Sequence, residues 1–296
     1  MLVPALSQAE APQQIKTMYI RWSGEKAIAL GGADVINRVK EILYIRDIKL
    51  PGMNLLKQRH FLLTLQTVFF YIAAFSQSPT LPLSKYGVPV LSDVKIYQNI
   101  ILADSNKQMV DVKMMIPNIV LDLRYASSNN FMRRNMYPGR TNTTYLRLPV
   151  ARALWGVQKE LNERGLGLKV FDAYRPYSVT EKFWELVLNE KYVADPKKGS
   201  GHNRGTAVDL TIITLPAKTE LPMPTGFDNF TDTAHHSFMQ LPFTLMENRK
   251  MLKDIMEKHG FKKMDTEWWH YSWADDQNFE LMDLSFSALK EINTKR

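Results

Sequence analysis

Two short stretches hold residues whose types and spacing can do chemistry: Ser200-Gly201-His202-Asn203-Arg204-Gly205-Thr206-Ala207-Val208-Asp209, and Glu267-Trp268-Trp269-His270. His202, Asp209 and His270 make a three-ligand set for zinc with one position open to water, the composition of a catalytic centre and not of a closed structural one. Glu267 is then the candidate general base. The first stretch alone is ambiguous, because a surface loop followed by a strand whose Asp is merely capped has the same letters. Gly205 allows the tight backbone turn that would bring His202 and Asp209 together. Glu267 and His270 are three apart, which in a flat strand sends them to opposite faces, so the reading requires a bend or bulge there. Trp268, Trp269, Tyr271 and Trp273 are either core aromatics or the dry wall of a site in which electrostatic interactions strengthen. The chain has no cysteine, so thiolate ligands and disulfides are excluded and any metal is held by His, Asp and Glu.

These residues need a scaffold, and the patterning supplies one. Residues 119–125 alternate as a strand, and 127–144, rich in Asn, Arg, Gly and Pro, reads as a loop. Val150, Leu154, Val157 and Leu161 recur at helical spacing up to a stop at Gly165. A strand over 168–173 turns out at Tyr174-Arg175-Pro176 into a helix over 179–188, and another strand covers 206–213. Residues 215–243 form a long proline-rich loop, 245–259 a third helix ended by Gly260, and 268–273 a final strand. Strands and helices mixed without a regular βαβ rhythm predict an α+β fold with helices against a mostly antiparallel sheet.

Ser-x-His-x-x-Gly-x-Ala-x-Asp over 200–209 and Glu-x-Trp-His over 267–270 together resemble the zinc D-Ala-D-Ala peptidases, and among them the D-alanyl-D-alanine dipeptidases of the vancomycin-resistance type. The resemblance spans about 116–273 and implies the fold those enzymes share with the Hedgehog signalling domains. It implies one zinc ion on His202, Asp209 and His270, with Glu267 as base. Asp172-Ala173-Tyr174-Arg175-Pro176 is similar to the family segment whose arginine, here Arg175, stabilises the transition state. A surface salt bridge is the alternative for Arg175. Gly226-Phe227-Asp228, followed by His235-His236, is similar to the dipeptidase loop whose aspartate binds the free amino end of the substrate; locally Asp228 could equally form a turn. Asp122-Leu123-Arg124-Tyr125 is similar to the stretch whose tyrosine contacts substrate. Ser200 either contacts substrate or caps the turn. His235 and His236 are read as structural or as supporting the metal ligands from outside, His60 as part of the signal segment, and His259 as a helix C-terminal cation.

The expected activity is hydrolysis of the dipeptide D-alanyl-D-alanine. Two alternatives are a D,D-carboxypeptidase or peptidoglycan endopeptidase with the same metal set, and a non-catalytic binding module that keeps the zinc fold. Retention of Glu267 and Arg175 weighs against the last, since binding needs no base. The expected partner is thus a small dipeptide and not nucleic acid. Residues 1–76 hold 9 Lys and Arg against 5 Asp and Glu, about half of the net +8, and no basic run that could track phosphates follows.

The front of the chain departs from the compact dipeptidases. Residues 53–60 carry a basic flank, 61–75 an apolar run shorter than a membrane span, and Ala74-Phe75-Ser76 the small residues of a cleavage site. That is the anatomy of a signal peptide, or failing cleavage an anchor, and predicts an exported protein, periplasmic or secreted. Since such signals act at an N-terminus, Met53 is read as the true start and residues 1–52 as an extension assigned in error. Residues 77–113 are read as a proline-punctuated linker and 114–296 as the zinc dipeptidase domain.

Overall fold

In a computed structural model, Asn54 and residues 80–294 except 139, 140 and 191 are described. The expected extension (1–52) and signal or anchor segment (53–76), Asn54 apart, lie outside these residues. Among the described residues no helix is long and apolar enough to cross a membrane.

The central sheet has five strands in the order β3-β5-β6-β8-β7: β3 (Val120–Leu121), β5 (Leu166–Asp172), β6 (Ala207–Thr214), β8 (Glu267–Trp273) and β7 (Phe261–Met264). Its two central strands are buried almost throughout, Leu168 and Val170 on β5 and Val208, Leu210 and Ile212 on β6 being fully covered. Helix α3 (Leu148–Asn162) starts at a proline in its first turn, which is tolerated there because that N–H has no helical partner. Its stripe of Val150, Leu154, Val157 and Leu161 is buried against the sheet, about 1.5–3 kcal/mol for each side chain, and Gly165 at φ +69° ends the segment. Helix α6 (Phe243–Lys258) adds Leu252, Ile255 and Met256 to the same core, with His259 as its C-cap.

The fold is α+β as expected, but the sheet is mixed and not mostly antiparallel. Strand β3 pairs with β5 in parallel, while β5–β6, β6–β8 and β7–β8 are antiparallel. Parallel neighbours need a crossover connection, and α3 provides it between β3 and β5. A second parallel pair joins β1 (Val90–Leu91) to β9 (Leu281–Met282). The expected strand over 119–125 is correspondingly short: it gives way to a 3-10 turn at Arg124–Ala126, which buries Tyr125.

The linker expected over 77–113 is a correction as well, because the compact unit runs from Ser78 to Arg296. Within that segment Asp93 caps helix α1 (Val94–Ala103), accepting from the Ile96 N–H at 2.9 Å, and β2 (Met109–Asp111) pairs with β4 (Tyr145–Arg147). Its prolines punctuate the approach, but Leu91, Tyr97, Ile101 and Met109 are core residues, and their covering is what the sequence reading undervalued. They join Tyr125, Tyr137, Tyr145 and Tyr174, helix α4 (Tyr177–Val187) and helix α7 (Phe286–Thr294) in a second core.

Candidate active site

Three strands place three acidic or basic side chains in one row. The β5–β6 ladder pairs Val170 with Leu210 and then Asp172 with Asp209, so Phe171 is an extra residue. In a regular ladder Asp172 would face Val208; the bulge shifts it opposite Asp209. Asp209 is in turn the register partner of His270 on β8. The bulge required of Glu267 and His270 is present: β7 pairs Lys263 with Tyr271 and its next residue, Met264, with Glu267. Glu267 Oε2 consequently lies 4.0 Å from His270 Nδ1.

His202 comes from a separate piece. The expected loop contains a single helical turn, α5 (Gly201–Arg204), closed by a capping box in which Ser200 Oγ accepts from the Asn203 N–H and Asn203 Oδ1 accepts from the Ser200 N–H. Of the two roles open to Ser200, the cap is therefore the one observed. Gly205 ends the turn at φ +71°, a left-handed conformation, and a Cβ there would lie 2.5 Å from the Met109 sulfur. Asn203 Nδ2 donates to the Arg175 carbonyl at 2.9 Å and to Thr180 Oγ1 at 2.8 Å, and the Arg175 N–H donates to the His202 carbonyl at 3.2 Å. These bonds join the His202 turn to the Tyr174-Arg175-Pro176 turn.

The ligand atoms converge. His202 Nε2 is 3.3 Å from His270 Nδ1 and 3.5 Å from Asp209 Oδ2, and His270 Nδ1 is 2.9 Å from Asp209 Oδ1. Tetrahedral zinc with bonds of about 2.0–2.1 Å holds its ligand atoms roughly 3.3 Å apart, so the set fits the ion. The His202 tautomer agrees with that fit. His202 Nδ1 lies 2.7 Å from the Ala173 carbonyl, which only accepts, so Nδ1 carries the proton and Nε2 offers its lone pair inward. His270 Nε2, 3.1 Å from Ser272 Oγ, is satisfied outside the cluster and leaves Nδ1 facing in. Two ring nitrogens face inward beside a buried carboxylate, and although burial works against a charged His270, Asp209 outweighs it, so the cluster is built for positive charge. Among the described residues this is the one group of His, Asp and Glu with such convergence. Burial works to raise the Asp209 carboxyl, but His202 and His270 hold it well below the usual carboxylate range.

Around this centre, burial pushes the Glu267 carboxyl upward, against the nearby His270. Arg175 is buried, with Nε and Nη2 donating to Asp172 Oδ2 at 3.1 and 2.8 Å and its guanidinium lying 5.0 Å from the Tyr125 ring and 4.9 Å from the Phe183 ring. The surface salt bridge offered as its alternative is thereby set aside. Asp228 accepts from Tyr125 Oη at 2.9 Å and from the Phe131 N–H at 3.2 Å. Its φ of +60° is left-handed, uncommon for a residue with a Cβ, and burial raises its carboxyl to about 7 despite those two donors. Of the aromatics read as core or wall, Trp268, Trp269 and Tyr271 are core residues, and Phe227 and Phe230 each lie edge-on to Trp269.

Sequence reasoning missed three residues. Asp172, fully buried, holds Arg175 and lies 3.7 Å from His202 Nδ1; its offset of three from Arg175 was the available signal. Ser272, two residues beyond His270, fixes that ring. Tyr137 donates to Asp172 Oδ1 at 2.5 Å, and only its aromatic character within a polar loop marked it. His235 and His236 stay outside the metal cluster: the His235 carbonyl accepts from Arg249 and the His236 N–H donates to the Asp265 carbonyl.

The family described as D-ala-D-ala dipeptidase matches residues 105–290. The D-alanyl-D-alanine dipeptidase of Escherichia coli (strain K12) is 30% identical over 188 residues, covering 64% of this chain and 96% of that protein. The enzyme of the same name from Enterococcus faecalis (strain ATCC 700802 / V583) is 29% identical, covering 55% and 89%. A vancomycin-resistance D,D-pentapeptidase solved in complex with Zn(II) aligns at 16% identity and a TM-score of 0.31, covering 46% of this chain and 77% of that one.

Proposed function

This chain belongs to the D-Ala-D-Ala dipeptidase family of zinc metallopeptidases, and on that premise we propose that it hydrolyses D-alanyl-D-alanine to two molecules of D-alanine, with Glu267 as general base. The observation that carries the reading is the convergence of His202, Asp209 and His270 with the half-buried Glu267 carboxylate 4.0 Å from His270 Nδ1. When bound there, zinc supplies Lewis acidity and lowers the pKa of water toward about 7.

The chain's own residues do the rest. Glu267 Oε takes the proton of the attacking water and passes it to the leaving amine, and a carboxyl raised by burial is suited to both halves of that transfer. Arg175, always charged and held side-on by Asp172, keeps N–H bonds for the oxyanion; losing such a donor typically costs about 2.7–4 kcal/mol. Phe227, Phe230 and Trp269 exclude water. Tyr125 and Asp228 form the other end. A dipeptide carries a free ammonium next to the scissile bond, whereas a longer peptide has an amide there; the half-buried Asp228 carboxylate, already accepting from Tyr125 and Phe131, gains a counter-charge from the first and none from the second. That favours dipeptide over the carboxypeptidase or endopeptidase alternative. Assay of D-Ala-D-Ala beside a pentapeptide precursor on protein of known zinc content tests it, and preference for the pentapeptide overturns it.

The same reading includes export, supported by the basic flank, apolar run and small-residue exit over 53–76. N-terminal sequencing of protein from its native host should give an end near Gln77; an intact Met1 defeats export.

A further inference from the structure

The carboxylate that holds Arg175 is itself held. Asp172 is fully buried, and one of its oxygens, Oδ2, takes both the Nε and Nη2 bonds of Arg175. Rotation about the Asp Cβ–Cγ bond is soft, so two bonds to a single oxygen do not fix the plane of the carboxylate. The other oxygen receives the Tyr137 hydroxyl at 2.5 Å, a charge-assisted bond in a buried setting. Tyr137 cannot drift. Its N–H and that of Met136 both donate to the Tyr125 carbonyl at 2.9 Å, and its ring lies against Tyr125 and Phe286 with centroids 6.0 and 4.9 Å away.

We propose that Tyr137 is a positioning residue for the hydrolysis: its hydroxyl fixes the Asp172 carboxylate so that Arg175 presents its remaining N–H groups at one orientation toward the reacting carbonyl. Tyr137 is 3% exposed and acts from the far side of Asp172, through Arg175 and not on substrate. The bond also ties the site to the second core, because Phe286, which backs Tyr137, lies in helix α7 and also packs against Tyr145 and Tyr174. This inference rests on the dipeptidase reading above for the role of Arg175, and its test separates the two.

Tyr137→Phe keeps the ring and removes the hydroxyl. Measured on zinc-loaded full chain with D-Ala-D-Ala, it should lower kcat on the order of 10- to 100-fold, as misplacing a transition-state donor does, with zinc content unchanged and KM within about twofold. In an Arg175→Lys background the same change should cost less than about twofold, because the group it acts through is already gone. Equal losses in both backgrounds, an unchanged kcat, or a loss confined to KM would each overturn the proposal. A second reading needs no turnover: the Arg175 Nε–H resonance, identified by its disappearance in Arg175→Lys, should be sharp and protected in the parent chain and broadened or shifted in Tyr137→Phe. If the parent chain does not hydrolyse D-Ala-D-Ala, the functional reading falls while this resonance still decides Tyr137; a sharp, unmoved signal in the variant rejects it. Should Tyr137→Phe fail to fold, 4-fluorophenylalanine at position 137 fills the space of the hydroxyl without donating to Asp172, and the same outcomes apply.

Discussion

Glu267 and Asp228 are two carboxyls raised by burial for different work. Glu267→Ala leaves His202, Asp209 and His270 in place, so zinc content should match the parent chain while kcat falls on the order of 10²- to 10⁴-fold, the range of a general base. Metal analysis beside the D-Ala-D-Ala assay checks both: retained turnover would remove Glu267 as the base, and a parent chain that holds zinc without turnover would favour a binding module. Burial raises the Asp228 carboxyl to about 7, and on the proposed reading only its anion pairs with the substrate ammonium. KM for D-Ala-D-Ala should therefore rise as pH falls below about 7, and Asp228→Asn should lower kcat/KM roughly 10- to 100-fold at pH 8, the worth of a charged hydrogen bond. The stability sign is opposite. A folded-state value above the unfolded one leaves stability intact at low pH and erodes it as pH rises from about 3.8 through about 7, so Asp228→Asn should melt higher than the parent at pH 8 and not at pH 3. Melting curves at the two pH values decide it.

Among the elements, the two bulges and the α5 turn do the positioning. Phe171 and the Glu267–Tyr271 bulge each change the parity of a strand, and parity decides which side chains share a face. The α5 turn depends on Gly205. Gly205→Ala forces a Cβ into the left-handed region and against Met109, so it should destabilise the chain by more than about 1 kcal/mol and weaken zinc binding together, because His202 lies on the same turn. Urea midpoints with and without zinc measure both effects, and a loss of stability with unchanged zinc affinity would show that the turn does not carry the ligand.

For the whole molecule, three ligands from α5, β6 and β8 mean that an ion binds the folded chain and not the unfolded one. Zinc at 1,000 times its Kd should add about 4 kcal/mol of stability, and chelation should lower Tm by roughly 10 °C for a domain of this size. An unchanged melting curve after chelation would place the metal elsewhere. The second core extends the unit back to Ser78, so a chain begun at Met114 would leave Tyr145, Tyr174 and Phe286 without part of their covering.

The identity of the chemistry was legible in the sequence. The candidate ligand types, the candidate base, the glycine between His202 and Asp209, and the need for a bulge near Glu267 all follow from local rules of spacing and backbone geometry, and the resemblance to the family motifs added Arg175, Tyr125 and Asp228 as candidates. Helices over 148–162, 177–187 and 243–258 followed from apolar periodicity in the same way. What the tertiary structure decided is everything set by partners distant along the chain. The parallel pairing of β3 with β5, the folding of 80–113 into the domain, the choice of the cap for Ser200, and the Tyr137–Asp172 bond were decided by partners that local spacing does not name. A hydrogen bond across 35 residues depends on where packing brings the backbone, and packing is a property of the whole core.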